Sequence, residues 1–252
     1  MKFQTLIRPM PDAETILQTE PAPGDTAVLI RKRPKPGERR VQILQALASM
    51  LEQPGAERIT TAALAARLDV SEAALYRHFA SKAQMFEGLI EFIEQTVFSL
   101  VNQIAEREGA MAVAGSASTE LAGMDTQPNP AAPSGFDGGA GVRHAGKIAA
   151  MLIQFAEKNP GMTRVMVGDA LVFENERLQQ RMNQFFDKIE SIFRQILRGG
   201  AHDNGSATPS VDAQVSASVL TSFVVGRLQR FARSGFKRLP SEHLEASLAQ
   251  ML

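Results

Sequence analysis

Read as apolar against polar positions, the chain shows no sustained period before residue 37. From Gly37 the pattern turns helical: Ile43, Leu44, Leu47, Met50 and Leu51 recur at i, i+1, i+4, i+7 and i+8, until Pro54-Gly55 interrupts them. A short helix holding Leu64, Ala65 and Leu68 is predicted next, opened by Thr60 or Thr61. A turn follows at Asp69-Val70, and Ser71 opens a third helix with Glu72 in its first turn and Leu75 and Phe79 facing inward. Beyond Ser81, a further cap, a long helix is predicted to about Glu106. At about 100° per residue its side chains Met85, Phe86, Leu89, Ile90, Ile93, Val97, Leu100, Val101 and Ile104 share one arc, with Phe92 at the edge, and the helix is long enough to join two modules.

The stretch 109–142 carries seven glycines and three prolines among small polar residues, the pattern of a flexible insertion. Helical periodicity returns at Ile148, pauses at Asn159-Pro160-Gly161, and resumes from Met162 to about Phe173. From about Glu176 to Leu197, Met182, Phe185, Phe186, Ile189, Ile192, Phe193, Ile196 and Leu197 give the cleanest helical stripe in the chain. A polar loop from Gly199 to Pro209 precedes a helix carrying Val215, Val219, Leu220, Phe223, Val224, Leu228 and Phe231, and a short helix after Pro240 closes the chain. No β alternation is found. The expected architecture is all-α: three short helices, a long connector and a helical bundle. The expected divisions are a disordered extension with a basic arm at 1–36, a small domain at 37–82, and the connector and bundle at 83–252, interrupted by the insertion at about 109–142.

Composition alters this picture mainly through charge. The 27 basic and 27 acidic residues of the 252-residue chain cancel, yet Arg31 to Lys82 holds ten basic residues against five acidic ones, a net +5. Positive potential concentrated in a short module suits a polyphosphate partner, although a solvated basic tail accounts for the charge equally well. Cysteine is absent, so disulfides, thiolate metal sites and cysteine nucleophiles are excluded. The N-terminus lacks an apolar signal core, and no segment approaches the ~18 apolar residues of a membrane span, so a cytoplasmic location is expected. His78, His144, His202 and His243 are scattered, and no H-E-x-x-H, P-loop or G-x-G-x-x-G occurs. Neither catalysis nor a metal or cofactor is expected.

The run T-T-A-A-L-A-A-R-L-D-V-S-E-A-A-L-Y-R-H-F fits a helix-turn-helix. Ala65 is small where two helices would cross, Leu64, Leu68, Val70 and Leu75 supply the core, and Asp69 stands at a turn position that needs a left-handed backbone. In a second helix from Ser71 to His78, the exposed residues would be Glu72, Ala73, Ala74, Tyr76, Arg77 and His78. The two alanines would admit close approach to base edges and thymine methyls. Thr60, Thr61, Tyr76, His78 and Lys82 suit phosphate oxygens. Plainer readings stand beside these: the threonines as caps, and His78 and Lys82 as solvated surface residues.

S-E-A-A-L-Y-R-H-F followed by S-K, then M-F-E-G-L-I-E-F-I-E, resembles the recognition and connector helices of the TetR-like family. N-P-G-M-T-R at Asn159–Arg164 and A-L-V-F-E-N-E-R-L-Q-Q-R-M-N-Q-F-F at Ala170–Phe186 are similar to its nucleoid occlusion members. The likeness covers roughly 37–106 and 147–252. It implies a homodimer whose long helices near 176–198 and 210–233 pack together, reading palindromic double-stranded DNA with one or more dimers per site. It further implies that the DNA-bound protein antagonises assembly of the division protein FtsZ, so that no septum forms over the nucleoid. On that resemblance Phe92, with Lys158 and Asn159, matches an apolar and basic cradle for an FtsZ tail; core packing, solvation and helix termination are the plainer readings of the three. A ligand-responsive TetR-type repressor is the alternative.

Overall fold

The first apolar stripe forms α1 (Glu38–Leu51), which turns Ile43, Leu47, Ala48 and Leu51 into the interior. The computed structural model describes residues 37–53, 59–121, 139–203 and 207–252, with the backbone alone for 111–121 and 200–203. Two short helices, α2 (Thr61–Arg67) and α3 (Glu72–Tyr76), fold against α1, and α4 (Lys82–Leu121) leads away from this head. The body consists of α5 (Ala140–Lys158), α6 (Pro160–Met166), a 3-10 turn at Asp169–Leu171, α7 (Glu176–Asp203), α8 (Pro209–Arg233) and α9 (Leu244–Met251). Every regular element among the described residues is helical, and the fold is the expected all-α one.

The pairing of α7 with α8 is the most extensive among the described helices, α5 lies against both, and α4 closes the layer along α5 and α7. Phe185, Phe193, Leu152, Ile153 and Leu228 are fully enclosed between these helices. Alongside this apolar seam, α4 and α7 are joined by a ladder of ion pairs. Arg181 grips Glu94 with both arms of its guanidinium (3.1 and 2.6 Å), Arg177 pairs with Glu87, and Lys82 at the start of α4 pairs with Glu174 in the turn just before α7.

Short α6 ties the head to the body. Pro160 sits in its first turn, where a missing N–H costs nothing, and the buried Thr163 hydroxyl donates to the Ala156 carbonyl at 2.7 Å. A Cβ on Gly161 would lie 2.0 Å from the carbonyl oxygen of Ala48 in α1, so only glycine lets the two backbones meet. The Gly161 N–H faces the Glu52 carboxylate. Partial burial there raises the Glu52 pKa above the usual range, partly offset by this N–H and by Arg67.

Several boundaries differ from the apolar pattern. The connector does not stop near Glu106 but runs to Leu121, because Ala110, Met111, Ala112 and Ala114 favour helix strongly enough to carry it through Gly109 and Gly115. The helix expected to reach Phe173 ends at Met166: Gly168 adopts φ 84°, and Val172 and Phe173 emerge 60% and 68% exposed. At the far end, α7 continues through Gly199 to Asp203. The extension 1–36 with its basic arm, Pro54-Gly55 with Arg58, and the glycine-rich 122–138 lie outside the described residues.

Candidate nucleic-acid interface

The geometry of the head follows from its caps. Thr60 has an extended backbone, and its hydroxyl accepts the Ala63 N–H at 3.1 Å; Ser71 does the same for Ala74 at 3.3 Å. Caps of this kind contribute about 1 kcal/mol each. Between them, the N–H of Val70 donates to Ala65 and that of Asp69 to Ala66, the paired bonds of a Schellman turn, with Asp69 at φ 52°. The turn sets α3 across α2, and Leu64, Ala65, Leu75 and Phe79 fill the crossing.

Further contacts fix the reading helix. The Thr61 hydroxyl donates to the Glu72 carboxylate at 2.6 Å, joining the first turns of α2 and α3. Arg40 lies 4.3 Å above the Phe79 ring and donates to the carbonyl of His78 at 3.2 Å, while Arg67 donates to Ser49 at 2.9 Å. Arg40 and Arg67 therefore anchor the head; their spacing in the sequence gives no signal of this, because each partner lies on a distant stretch of the chain.

One exposed face carries Glu72, Ala73, Tyr76, Arg77 and His78, with Ala74 half-buried beside them. Tyr76 is 46% exposed although aromatic. The regular helix ends at Tyr76, and the chain turns through Arg77 and His78 so that Phe79 can enter the core; the reading element is thus shorter than the expected span to His78. Thr60 and Ser71 spend their side-chain oxygens on caps, and Thr61 spends its hydroxyl on Glu72. Lys82 pairs with Glu174 and lies 5.7 Å from the Phe86 ring, so it is half-buried and not a free surface cation.

The second set of candidate residues lies on the body. Phe92 stands out of α4 with 38% of its surface exposed, between the fully buried Ile90 and Ile93. Lys158 ends α5 exposed and without an ion-pair partner among the described residues, and Asn159 folds its amide back onto the Phe155 carbonyl at 2.7 Å. α4 packs against both α5 and α6, the two helices that meet at Lys158 and Asn159, and no hydrogen bond or ion pair joins Phe92 to either residue.

Residues 43–89 match the family described as bacterial regulatory proteins, tetR family, and 142–252 match the tetracyclin repressor-like C-terminal domain of SlmA-like type. The fatty acid degradation regulator FadR from Bacillus halodurans superposes with a TM-score of 0.60 over 87% of this chain and 96% of its own, at 12% identity, a likeness of fold. A three-helix head with an outward α3, set on a helical body, thus defines a tetR-type regulatory protein. The nucleoid occlusion factor SlmA of Aliivibrio fischeri (strain MJ11) is 47% identical over 211 residues, 83% of this chain and 92% of that one. SlmA of Idiomarina loihiensis is 47% identical over 208 residues, 82% and 90% respectively. The chain belongs to the nucleoid occlusion factor SlmA family.

Proposed function

We propose that this protein is a sequence-specific DNA-binding nucleoid occlusion factor: a homodimer that, bound to palindromic sites on the chromosome, antagonises FtsZ assembly and keeps a septum from forming over the nucleoid. The observation that carries this reading is that the likeness to SlmA proteins takes in the body as well as the DNA-reading head, where tetR-type proteins of other function diverge. The output is a contact with another protein, and no bond is made or broken.

Two α3 helices would enter successive major grooves about 34 Å apart. Ala73 and Ala74 would let the helix approach base edges, and Arg77 has the fork that suits guanine. Thr60, Tyr76 and His78 lie where phosphates flank the groove, with Ser71 and Glu72 at the start of the reading helix, and Thr61 would donate to a phosphate only by giving up its bond to Glu72. Lys82 would reach a phosphate only by exchanging it for Glu174. Dimerisation is supported by α8, where Val211, Val215 and Val219 recur at i, i+4 and i+8 and are 60%, 58% and 48% exposed. Pairing this stripe with its copy would bury it in a four-helix interface. Phe92, Lys158 and Asn159 supply an apolar and basic surface for an FtsZ tail.

The test is FtsZ sedimentation with the purified protein, with and without a selected palindromic duplex. Loss of pelleted polymer that depends on the duplex is expected, and Phe92→Ala should abolish that loss while leaving DNA affinity unchanged. An FtsZ pellet indifferent to protein and duplex together would overturn the proposal.

A further inference from the structure

Cations gather where α8 ends. Arg227 and Arg230 from α8 and Arg238 from the following loop line one open cleft of about 220 Å³, with Pro240, Glu242 and His243 in the rest of its lining. Arg227 is rigidly held: it donates to the Glu242 carbonyl at 2.7 Å and to the Ser247 hydroxyl at 2.9 Å, and lies 4.9 Å from the Phe223 ring. The guanidiniums of Arg230 and Arg238 are exposed and have neither a hydrogen-bond nor a carboxylate partner among the described residues. The one acid in the lining, Glu242, is 64% exposed on its side chain and sits 3.8 Å from His243.

A helix C-terminus attracts basic residues through its dipole, which accounts for Arg230. It does not account for Arg238, which lies outside the helix and turns back into the same cleft. Three guanidiniums around one small volume repel each other, and a multivalent anion between them converts that repulsion into attraction. Guanidinium forks match phosphoryl oxygens in pairs, and the cleft has room for a chain of linked phosphoryl groups. We propose that the cleft binds an oligophosphate of the kind carried by a nucleoside di- or triphosphate, gripped by Arg230 and Arg238 against the fixed Arg227. On helical spacing Arg227 and Arg230 stand roughly two and three turns beyond Val219 along α8.

The test is calorimetric titration of the full chain with pyrophosphate, ATP and GTP, with inorganic phosphate and adenosine as controls. One saturable event per chain is expected for pyrophosphate and both triphosphates, at least tenfold tighter than for inorganic phosphate, and absent for adenosine. Arg230→Ala/Arg238→Ala should abolish it, while the unliganded variant melts no lower than the parent because repulsion has been removed. Its affinity for the selected duplex should stay within twofold, which separates this inference from the DNA-binding reading. No heat at millimolar pyrophosphate overturns the inference, as does undiminished binding to the double variant. It also fails if the variant instead loses duplex affinity with a shallower salt dependence, which would make these arginines contacts to the DNA backbone.

Discussion

A methyl group at residue 161 has nowhere to go. Its position lies 2.0 Å from one backbone oxygen of α1 and 2.9 Å from the carbon that bears it, and backbone cannot rotate aside as a side chain can. Gly161→Ala should cost about 2–4 kcal/mol, read as a lower urea midpoint at unchanged slope; a midpoint equal to the parent's would show that the helices separate freely. His144 gives a pH signature. Burial lowers its pKa, Glu108 opposes that shift and Lys147 adds to it, and its Nε2 is enclosed without a hydrogen-bond partner among the described residues. A histidine whose pKa is depressed on folding binds its proton more readily when unfolded. Stability is therefore lost as pH falls below the ordinary histidine range, and the loss is complete below the depressed value. In His144→Leu the slope of the urea midpoint between pH 7 and 5 should flatten, and an unaltered slope would assign the acid sensitivity to other groups. Some of this was legible in the residues: Asp69 stands at the left-handed position its turn required. Gly161 reads in sequence as a mere pause, because the atom that demands glycine belongs to Ala48, far off along the chain.

Among the elements, α4 and α7 are set in register by charge as much as by apolar packing. Arg181 and Glu94 are both half-buried and doubly bonded, and the Glu94 carboxylate raises the Arg181 pKa beyond its ordinary value through that bond. A double-mutant cycle with Glu94→Gln and Arg181→Gln should return a coupling of about 1 kcal/mol, above the usual surface pair, and shrink in molar salt. A coupling near zero would leave the register to the apolar stripe alone. Helix existence was legible wherever one face is buried: Met182 to Leu197 repeat every three or four residues because every inward turn meets α5 or α8. Helix ends were not, since they depend on single backbones. Gly168 stops α6 although Val172 and Phe173 prolong its apolar pattern, and alanines carry α4 past glycines that read as loop. The ladder itself went unread, because pairs such as Arg181 and Glu94 acquire meaning only once two distant helices are laid side by side.

For the whole molecule, the informative surface is the valine stripe of α8. Val215→Glu should give a monomer by sedimentation equilibrium with its helical spectrum intact, and should weaken binding to a palindrome far more than to a single half-site. A dimer that persists would place the interface elsewhere. The division into reading head and helical body was visible from periodicity and charge, as was the outward face of α3. The joint between them was hidden, because it consists of main chain touching main chain. That joint bears on protein engineering. Grafting the DNA-reading helices of one relative onto the body of another would transplant Ala48 without the glycine that accommodates it whenever the recipient carries a larger residue at 161. The specificities of such hybrids should interchange cleanly only when both halves of this bare contact travel together.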